Sequence, residues 1–439
     1  MNRLRVLFVT GPWNSHLYQM VPLAWALQSA GHEVRVASEP GFVGSITEAG
    51  LTAVPVGPDE SMEERLHRIR GESAPKVSAA IPPFLTDSLF DMGEAVREGL
   101  PWEEVSWLLG TVLVPGMWIV NDEMVEDLVT FCRFWKPDLV LCDVIAHAGA
   151  VAADAVGAAH ARMVCWNDLF LRIRRDFLRA QQRQPAGERL DPVREWYAGW
   201  ARKYGRDFSE EVVAGQFAVN VLPERWRLEP HERTLSMRYV PYNGRSVVPS
   251  WLCEAPRRPR VLMTFGISKA PWIDPLGMSI EQVQETLDSV ADLDIELVLT
   301  LPDEERDQLR RVPENTRIVD FVPMNVLLHS CSAVIHHGGA GGFNGAMVHG
   351  IPQLIIEGSV DAIAKRTVLR ETGAGLSLTL DEFTGPCVRE YVTRLLEEEA
   401  FREGAERLRQ EALDQPTPGE FVSELERITA EYRSRRSGR

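Results

Sequence analysis

Short apolar runs alternate with helix-length amphipathic stretches along most of the chain. Residues 4–10 are apolar except for Arg5, as expected of a strand buried on both faces. A loop from Gly11 to His16 follows, and residues 21–30 read as a helix with Pro22 in the first turn and Gly31 past the end. Residues 34–37 form a second short strand. Strand, loop, helix and strand at this spacing make a βαβ unit, which predicts a parallel α/β domain. Residues 138–143 are another buried strand, ending in Asp143, and a small-residue helix covers 148–159. Residues 60–130 are less regular, with apolar helical stretches near 105–120. Residues 166–215 read as charged amphipathic helices.

Prolines and glycines break the pattern between about 228 and 260, and a second α/β pattern then begins. Strands are predicted at 260–265, 295–301, 317–320, 333–335 and 353–356. Near the end Phe421, Leu425, Ile428 and Tyr432 share one helical face, so this helix docks on a domain. The implied organisation is an N-terminal domain over 1–228, a linker over 229–259, a C-terminal domain over 260–415 and a terminal helix over 416–439.

Composition narrows the class. With 45% hydrophobic and 25% charged residues the chain is that of a globular protein, and its 439 residues suit two domains. A net charge of −16 argues against a nucleic-acid surface. Six scattered cysteines without metal-ligand spacing read as free thiols in a reducing cytoplasm. The opening apolar run is too short for a signal peptide, and no run reaches the roughly 20 apolar residues of a membrane span.

The densest chemistry lies at residues 334–361. Two histidines, His336 and His337, follow an apolar run, and five glycines then fall within eight residues. Strand, tight loop and helix N-terminus place backbone amides where an anion is favoured. No Gly-Lys-Ser/Thr follows, which excludes a P-loop, and Asn344 occupies the third glycine position of a dinucleotide fingerprint. A pair Asp292 and Asp294 matches a metal-binding DxD pattern but precedes a strand and reads as a polar turn. His16 and Asp143 each fall at the carboxyl end of a predicted parallel strand, where open sheets bind ligands.

The residues together carry a family likeness. The stretches SHLYQMVPLAWALQSAGHEV (15–34), LTAVPVG (51–57), YVPYNG (239–244), DFVPMNVLL (320–328), HHGGAGG…HGIPQ (336–353) and PTPGEFVSELERI (416–428) resemble GT-B glycosyltransferases of family 1. Within that family the chain is most similar to actinobacterial antibiotic deoxysugar transferases of the desosaminyl and mycaminosyl type. The resemblance implies two facing Rossmann-like domains with a cleft between them and a C-terminal crossover helix that packs back on the N-terminal domain. It implies an inverting, metal-independent transfer of a deoxysugar from a TDP-sugar to a hydroxyl of a polyketide-type natural product.

The same likeness assigns roles. His16 would be the catalytic base and Asp143 its orienting carboxylate. The donor would be held by His337, by the less certain neighbour His336, and by Gly339 with the amides of Ala340, Gly341 and Gly342. Ser268 would add a hydroxyl, Phe321 and Val322 would flank the base, and Asp361 would read the sugar. Trp13, Phe84, Trp118 and Trp166 are candidates for the apolar acceptor pocket. Two positions depart from the family. Gly342 replaces the usual Thr or Ser, and Asp361-Ala362 replaces the Asp-Gln of glucose-using relatives, which suits a deoxysugar donor. A cytochrome-like activator protein is an expected partner, with 60–130 as its candidate surface, and a homodimer is a further expectation. Two alternatives stay open at this point: a nucleotide-sugar epimerase of the same fold, and a non-catalytic donor-binding subunit.

Overall fold

The computed structural model describes residues 3–61, 64–65, 68, 101–227, 231, 233–266, 279–357 and 362–437. The chain divides into two compact units. One comprises the described residues up to Arg238 together with those from Gln415 onward, and the other runs from Tyr239 to Asp414.

The first unit is built on seven parallel strands: β1 (Arg5–Val9), β2 (Glu33–Ser38), β3 (Ala53–Pro55), β4 (Leu139–Asp143), β5 (Ala159–Val164), β6 (Phe217–Asn220) and β7 (Thr234–Ser236). Their order across the sheet is β3-β2-β1-β4-β5-β6-β7. Val6, Leu7, Phe8 and Val9 are fully buried, as the apolar run requires of a central strand. The chain leaves β1 toward β2 on one side and β4 toward β5 on the other, so the crevice between β1 and β4 is a topological switch point.

The first helix, Asn14–Ser29, starts seven residues earlier than its hydrophobic pattern suggested and runs through Pro22. His16 therefore sits in the first turn of a helix rather than in a loop. Gly149 explains the small-residue helix His147–Val156: a Cβ there would stand 2.7 Å from the Cys142 sulfur and 3.0 Å from Val9. Small side chains let this helix lie directly on β1 and β4. The apolar stretch near 105–120 lies in a helical run from Trp102 to Trp135 with a π-turn at Leu109–Leu113. By length and composition this run could cross a bilayer, which the sequence pattern did not anticipate, and 44% of its apolar window is buried inside the protein.

The terminal helix Pro418–Ser437 belongs to the first unit. Phe421, Leu425, Ile428 and Tyr432 are all buried, and the Tyr432 hydroxyl donates to the Gln216 carbonyl at 2.7 Å. The described residues of the stretch expected to be a linker are divided between the units. β7 pairs with β6 through Ala218, Val219 and Asn220, and from Tyr239 onward the chain belongs to the second unit. There the Asn243 side chain accepts from the Asn325 amide at 2.8 Å. Turn residues marked this stretch as irregular, but its side-chain and strand pairing tie it to the domains.

The second unit repeats the plan with six parallel strands: β8 (Arg260–Thr264), β9 (Glu296–Thr300), β10 (Thr316–Val319), β11 (Cys331–His336), β12 (Gln353–Glu357) and β13 (Gly375–Thr379). The order is β10-β9-β8-β11-β12-β13, so its switch point lies between β8 and β11. Val261, Met263, Leu297, Leu299, Ile335 and Leu354 form one side of the core. The glycine-rich loop leaves the carboxyl end of β11, at that switch point. Asp292 and Asp294 pair with Arg389 and Arg258 at the surface, as a polar turn should.

Candidate active site

At the switch point of the first unit, His16 and Asp143 meet. His16 Nδ1 lies 2.6 Å from Asp143 Oδ2. The Asp143 side chain is fully buried, whereas the His16 side chain is 27% exposed. Burial alone would raise the Asp143 carboxyl. The charge and hydrogen bond of His16, with the amides of Ile145 and Gly11, outweigh it and hold the group below its ordinary value. An ionised carboxylate only accepts, so Nδ1 of His16 carries the proton and Nε2 becomes the basic nitrogen.

Neighbouring groups fix this couple. The Trp13 ring packs beside His16 at 5.6 Å between centroids. Gly11 must be glycine because a Cβ would collide with Trp13 and stand 2.9 Å from Ile145. The turn after Asp143 is pinned from two sides. Arg162, on β5, donates to the Val144 carbonyl at 2.8 Å and forms an ion pair with Asp168 at 2.5 Å. Asn121, fully buried, donates to the Ile145 carbonyl at 3.0 Å and accepts from the Ala148 amide at 2.8 Å. His147 lies deeper, with Nδ1 2.8 Å from the Tyr197 hydroxyl. Burial and then the Arg162 charge push it well below its ordinary value, so it serves as a neutral strut.

At the switch point of the second unit the two histidines separate in role. His336 is fully buried; its Nδ1 accepts from the Gly338 amide at 3.1 Å and its Nε2 donates to Gln353 at 2.9 Å. Burial drives it down to about 3, so it stays neutral. Both nitrogens are engaged inside the fold, which replaces the expected donor-contacting role of His336 with a bracing one. Gln353, the last residue of the HGIPQ motif, is the other half of that brace.

His337 lies between two glycines. A Cβ on Gly266, whose φ is +82°, would stand 2.7 Å from its Cε1, and one on Gly339 would collide with its Nε2. Burial, and next the charge of Lys365, push His337 down to about 4, against the Thr264 backbone. Its Nδ1 is buried and meets no hydrogen-bond partner within normal geometry among the described residues. Gly339 caps the helix Ala340–His349 with no side chain, so the amides of Ala340, Gly341 and Gly342 form its open N-terminus. Gly342 faces His336: a Cβ would stand 3.1 Å from its Nδ1, a tight contact with the buried ring.

Not every expected residue joins these groups. Val322 is a core side chain beside Leu262, Val298 and Leu327, so it cannot flank a base with its side chain. Phe321 is 41% exposed beyond the carboxyl end of β10. Trp118 is exposed, and Trp166 is buried at 2% exposure, which removes it from an open acceptor pocket. Phe84, Ser268 and Asp361 lie outside the described residues, as do residues 62–63, 66–67 and 69–100 of the activator surface expected at 60–130. The sequence reading missed Asn121, Arg162, Gln353 and Lys365. Lys365 is fully buried, and its Nζ donates to the Gly338 carbonyl at 2.5 Å.

Sequence profiles of the erythromycin biosynthesis protein CIII-like family match residues 25–266 with the N-terminal domain and 284–428 with the C-terminal domain. The chain is 44% identical over 432 residues to the 10-deoxymethynolide desosaminyltransferase of Streptomyces venezuelae, covering 98% of each. It is 41% identical over 441 residues to the aclacinomycin-T 2-deoxy-L-fucose transferase of Streptomyces galilaeus, covering 99% of this chain and 98% of that one. The crystal structure of the glycosyltransferase VinC with dTDP has a TM-score of 0.84 at 35% identity, covering 98% of this chain and all of the other. The chain belongs to the erythromycin biosynthesis protein CIII-like family of GT-B glycosyltransferases.

Proposed function

We propose that the protein transfers a deoxysugar from a TDP-sugar to a hydroxyl of a polyketide-type acceptor, with His16 as base and the 337–342 loop as diphosphate site. The observation that carries this reading is the 2.6 Å contact between His16 and a buried, ionised Asp143 at a strand switch point. His16 Nε2 takes the acceptor proton as the hydroxyl oxygen bonds to the anomeric carbon. The bond from that carbon to the diphosphate oxygen breaks with its electron pair, and a single displacement inverts the configuration. Asp143 holds the Nδ1 proton and stabilises the imidazolium that forms. The departing charge falls to the Ala340–Gly342 amides and to the neutral His337, preorganised donors that need no rearrangement.

TDP is the natural nucleotide of this reading because VinC was crystallised with dTDP. The relatives named for desosamine and 2-deoxy-L-fucose support a deoxysugar. The Asp361-Ala362 pair supports the same choice, since a site lacking one hydroxyl reader discriminates less against a missing hydroxyl. The transfer uses residues of the chain and needs no bound metal in this mechanism, and it takes place in the cytoplasm. An activator protein on the 60–130 surface and a homodimer complete the reading; full turnover by monomeric protein alone would remove both. The reading as a whole is tested by incubating the purified protein with TDP-deoxysugars and macrolide aglycones and following product mass. Faster transfer of glucose from UDP-glucose than of any deoxysugar would overturn the donor assignment.

A further inference from the structure

We propose that Arg162 is a positioning residue for the His16–Asp143 couple, acting through the Val144–Ile145 peptide. Arg162 stands on β5, every side chain of which is buried, and is itself 3% exposed. Its Nη2 donates to the Val144 carbonyl at 2.8 Å. The N–H of that same peptide belongs to Ile145 and donates to Asp143 Oδ1 at 3.3 Å. The other carboxylate oxygen, Oδ2, faces His16 Nδ1 at 2.6 Å. One line of hydrogen bonds therefore runs from a guanidinium through a planar peptide and a buried carboxylate to the base. A charged donor on the Val144 oxygen polarises the peptide and makes the Ile145 N–H a stronger donor to Asp143.

The guanidinium is itself held from behind. Its Nε and Nη2 donate to the two oxygens of Asp168 at 2.5 and 3.0 Å, a bidentate pair. Burial works against the Arg162 charge, and Asp168 outweighs it. Asp168 in turn caps the helix Leu169–Gln181, accepting from the Leu171 amide at 3.1 Å. The Phe170 ring closes another side, centred 5.7 Å from the guanidinium carbon and 4.4 Å from the His147 ring. A structural ion pair would be complete with Asp168 alone, and such pairs add little stability over apolar packing of the same volume. The further bond to Val144 reaches the turn that begins at the catalytic carboxylate, and only a rigid fork serves both partners in fixed directions. The Asp143 turn is thereby set against the start of a helix rather than left to its own loop.

This inference rests on His16 and Asp143 being the catalytic couple, and the test separates the two. Wild type, Arg162→Lys and Arg162→Met are compared with Arg174→Met as a control. Arg174 is equally buried and pairs with Asp191 and Glu210 instead of the turn. Transfer from a TDP-deoxysugar gives kcat and KM, and the NMR resonance of the His16 Nδ1 proton reports the couple without turnover. Arg162→Met should lose about tenfold or more in kcat with donor KM within about twofold, and its Nδ1 resonance should move or vanish. Arg162→Lys keeps a charge beside Asp168 without the fork, and its kcat should recover about threefold over Arg162→Met. Arg174→Met should keep the wild-type resonance and kcat within about twofold, even where it melts lower. Wild-type kcat and resonance in folded Arg162→Met would overturn the proposal. Equal losses in Arg162→Met and Arg174→Met, or failure of both Arg162 variants to fold, would assign Arg162 to structure alone. A wild type that forms no glycoside would overturn the catalytic reading of the couple, and the resonance would then decide whether Arg162 positions it.

Discussion

Nδ1 of His16 and Oδ2 of Asp143 lie 2.6 Å apart although 127 positions separate them in sequence. The parallel pairing of β1 with β4 brings them together, each just beyond the carboxyl end of its strand. Because the carboxylate is buried and ionised, it fixes which ring nitrogen is basic. Asp143→Asn keeps the shape and can donate to Nδ1, which favours the wrong tautomer. This variant should lose on the order of 10³–10⁴-fold in kcat with KM for the donor nearly unchanged. Steady-state kinetics checks this, and a loss confined to KM would contradict it.

The turn that carries Asp143 should be sensitive to its supports. Asn121→Ala removes the bonds to the Ile145 carbonyl and the Ala148 amide and leaves both polar groups buried. A fall of about 2 kcal/mol in stability is expected, with kcat reduced roughly tenfold or more. Thermal melting and kinetics measure the two effects separately.

The glycines of the loop are not equivalent. Gly341 has open space where a Cβ would go, whereas Gly339 would collide with His337. Gly341→Ala should bind TDP like wild type, and Gly339→Ala should lose about tenfold or more. Gly342→Thr, a return to the commoner family residue, should lower stability by about 1–3 kcal/mol by crowding His336. Calorimetric titration and melting curves decide each case.

Acid should destabilise the protein through its buried histidines. His336 is held down to about 3 and His337 to about 4, against roughly 6.5 for an unfolded histidine. Between those values the unfolded chain binds more protons than the folded one, so stability is complete above about 6.5 and falls as pH drops toward 4. At pH 5 each histidine should cost roughly 2 kcal/mol relative to pH 7.5. Melting of wild type and His337→Gln at both pH values checks the sign: the variant should lose less on acidification.

The site was legible in sequence where chemistry and spacing are dense. Two histidines, closely spaced glycines and Asp143 ending an apolar run stand out together in the sequence, and the structure places them at the switch points of the two sheets. What stayed hidden depends on burial that pattern alone does not reveal. Lys365 has the sequence surroundings of a surface helix, yet it is enclosed beside Gly338. β5 carries His160 and Arg162, which break its apolar alternation; both are buried because the Glu211 carbonyl and Asp168 satisfy them. Residue type and motif point Trp166 and Val322 toward ligands, but both fill cores. The first helix starts earlier than its pattern predicts because Pro22 lies inside it rather than in its first turn.

The central claim is that His16 is the base of a sugar transfer whose donor is held elsewhere. The most direct measurement is single-turnover transfer from a TDP-deoxysugar by wild type and His16→Ala, with TDP affinity measured on the same samples. Wild type should form glycoside, and His16→Ala should fall on the order of 10²–10⁴-fold in rate with TDP affinity within about twofold. Transfer by His16→Ala at the wild-type rate would contradict it.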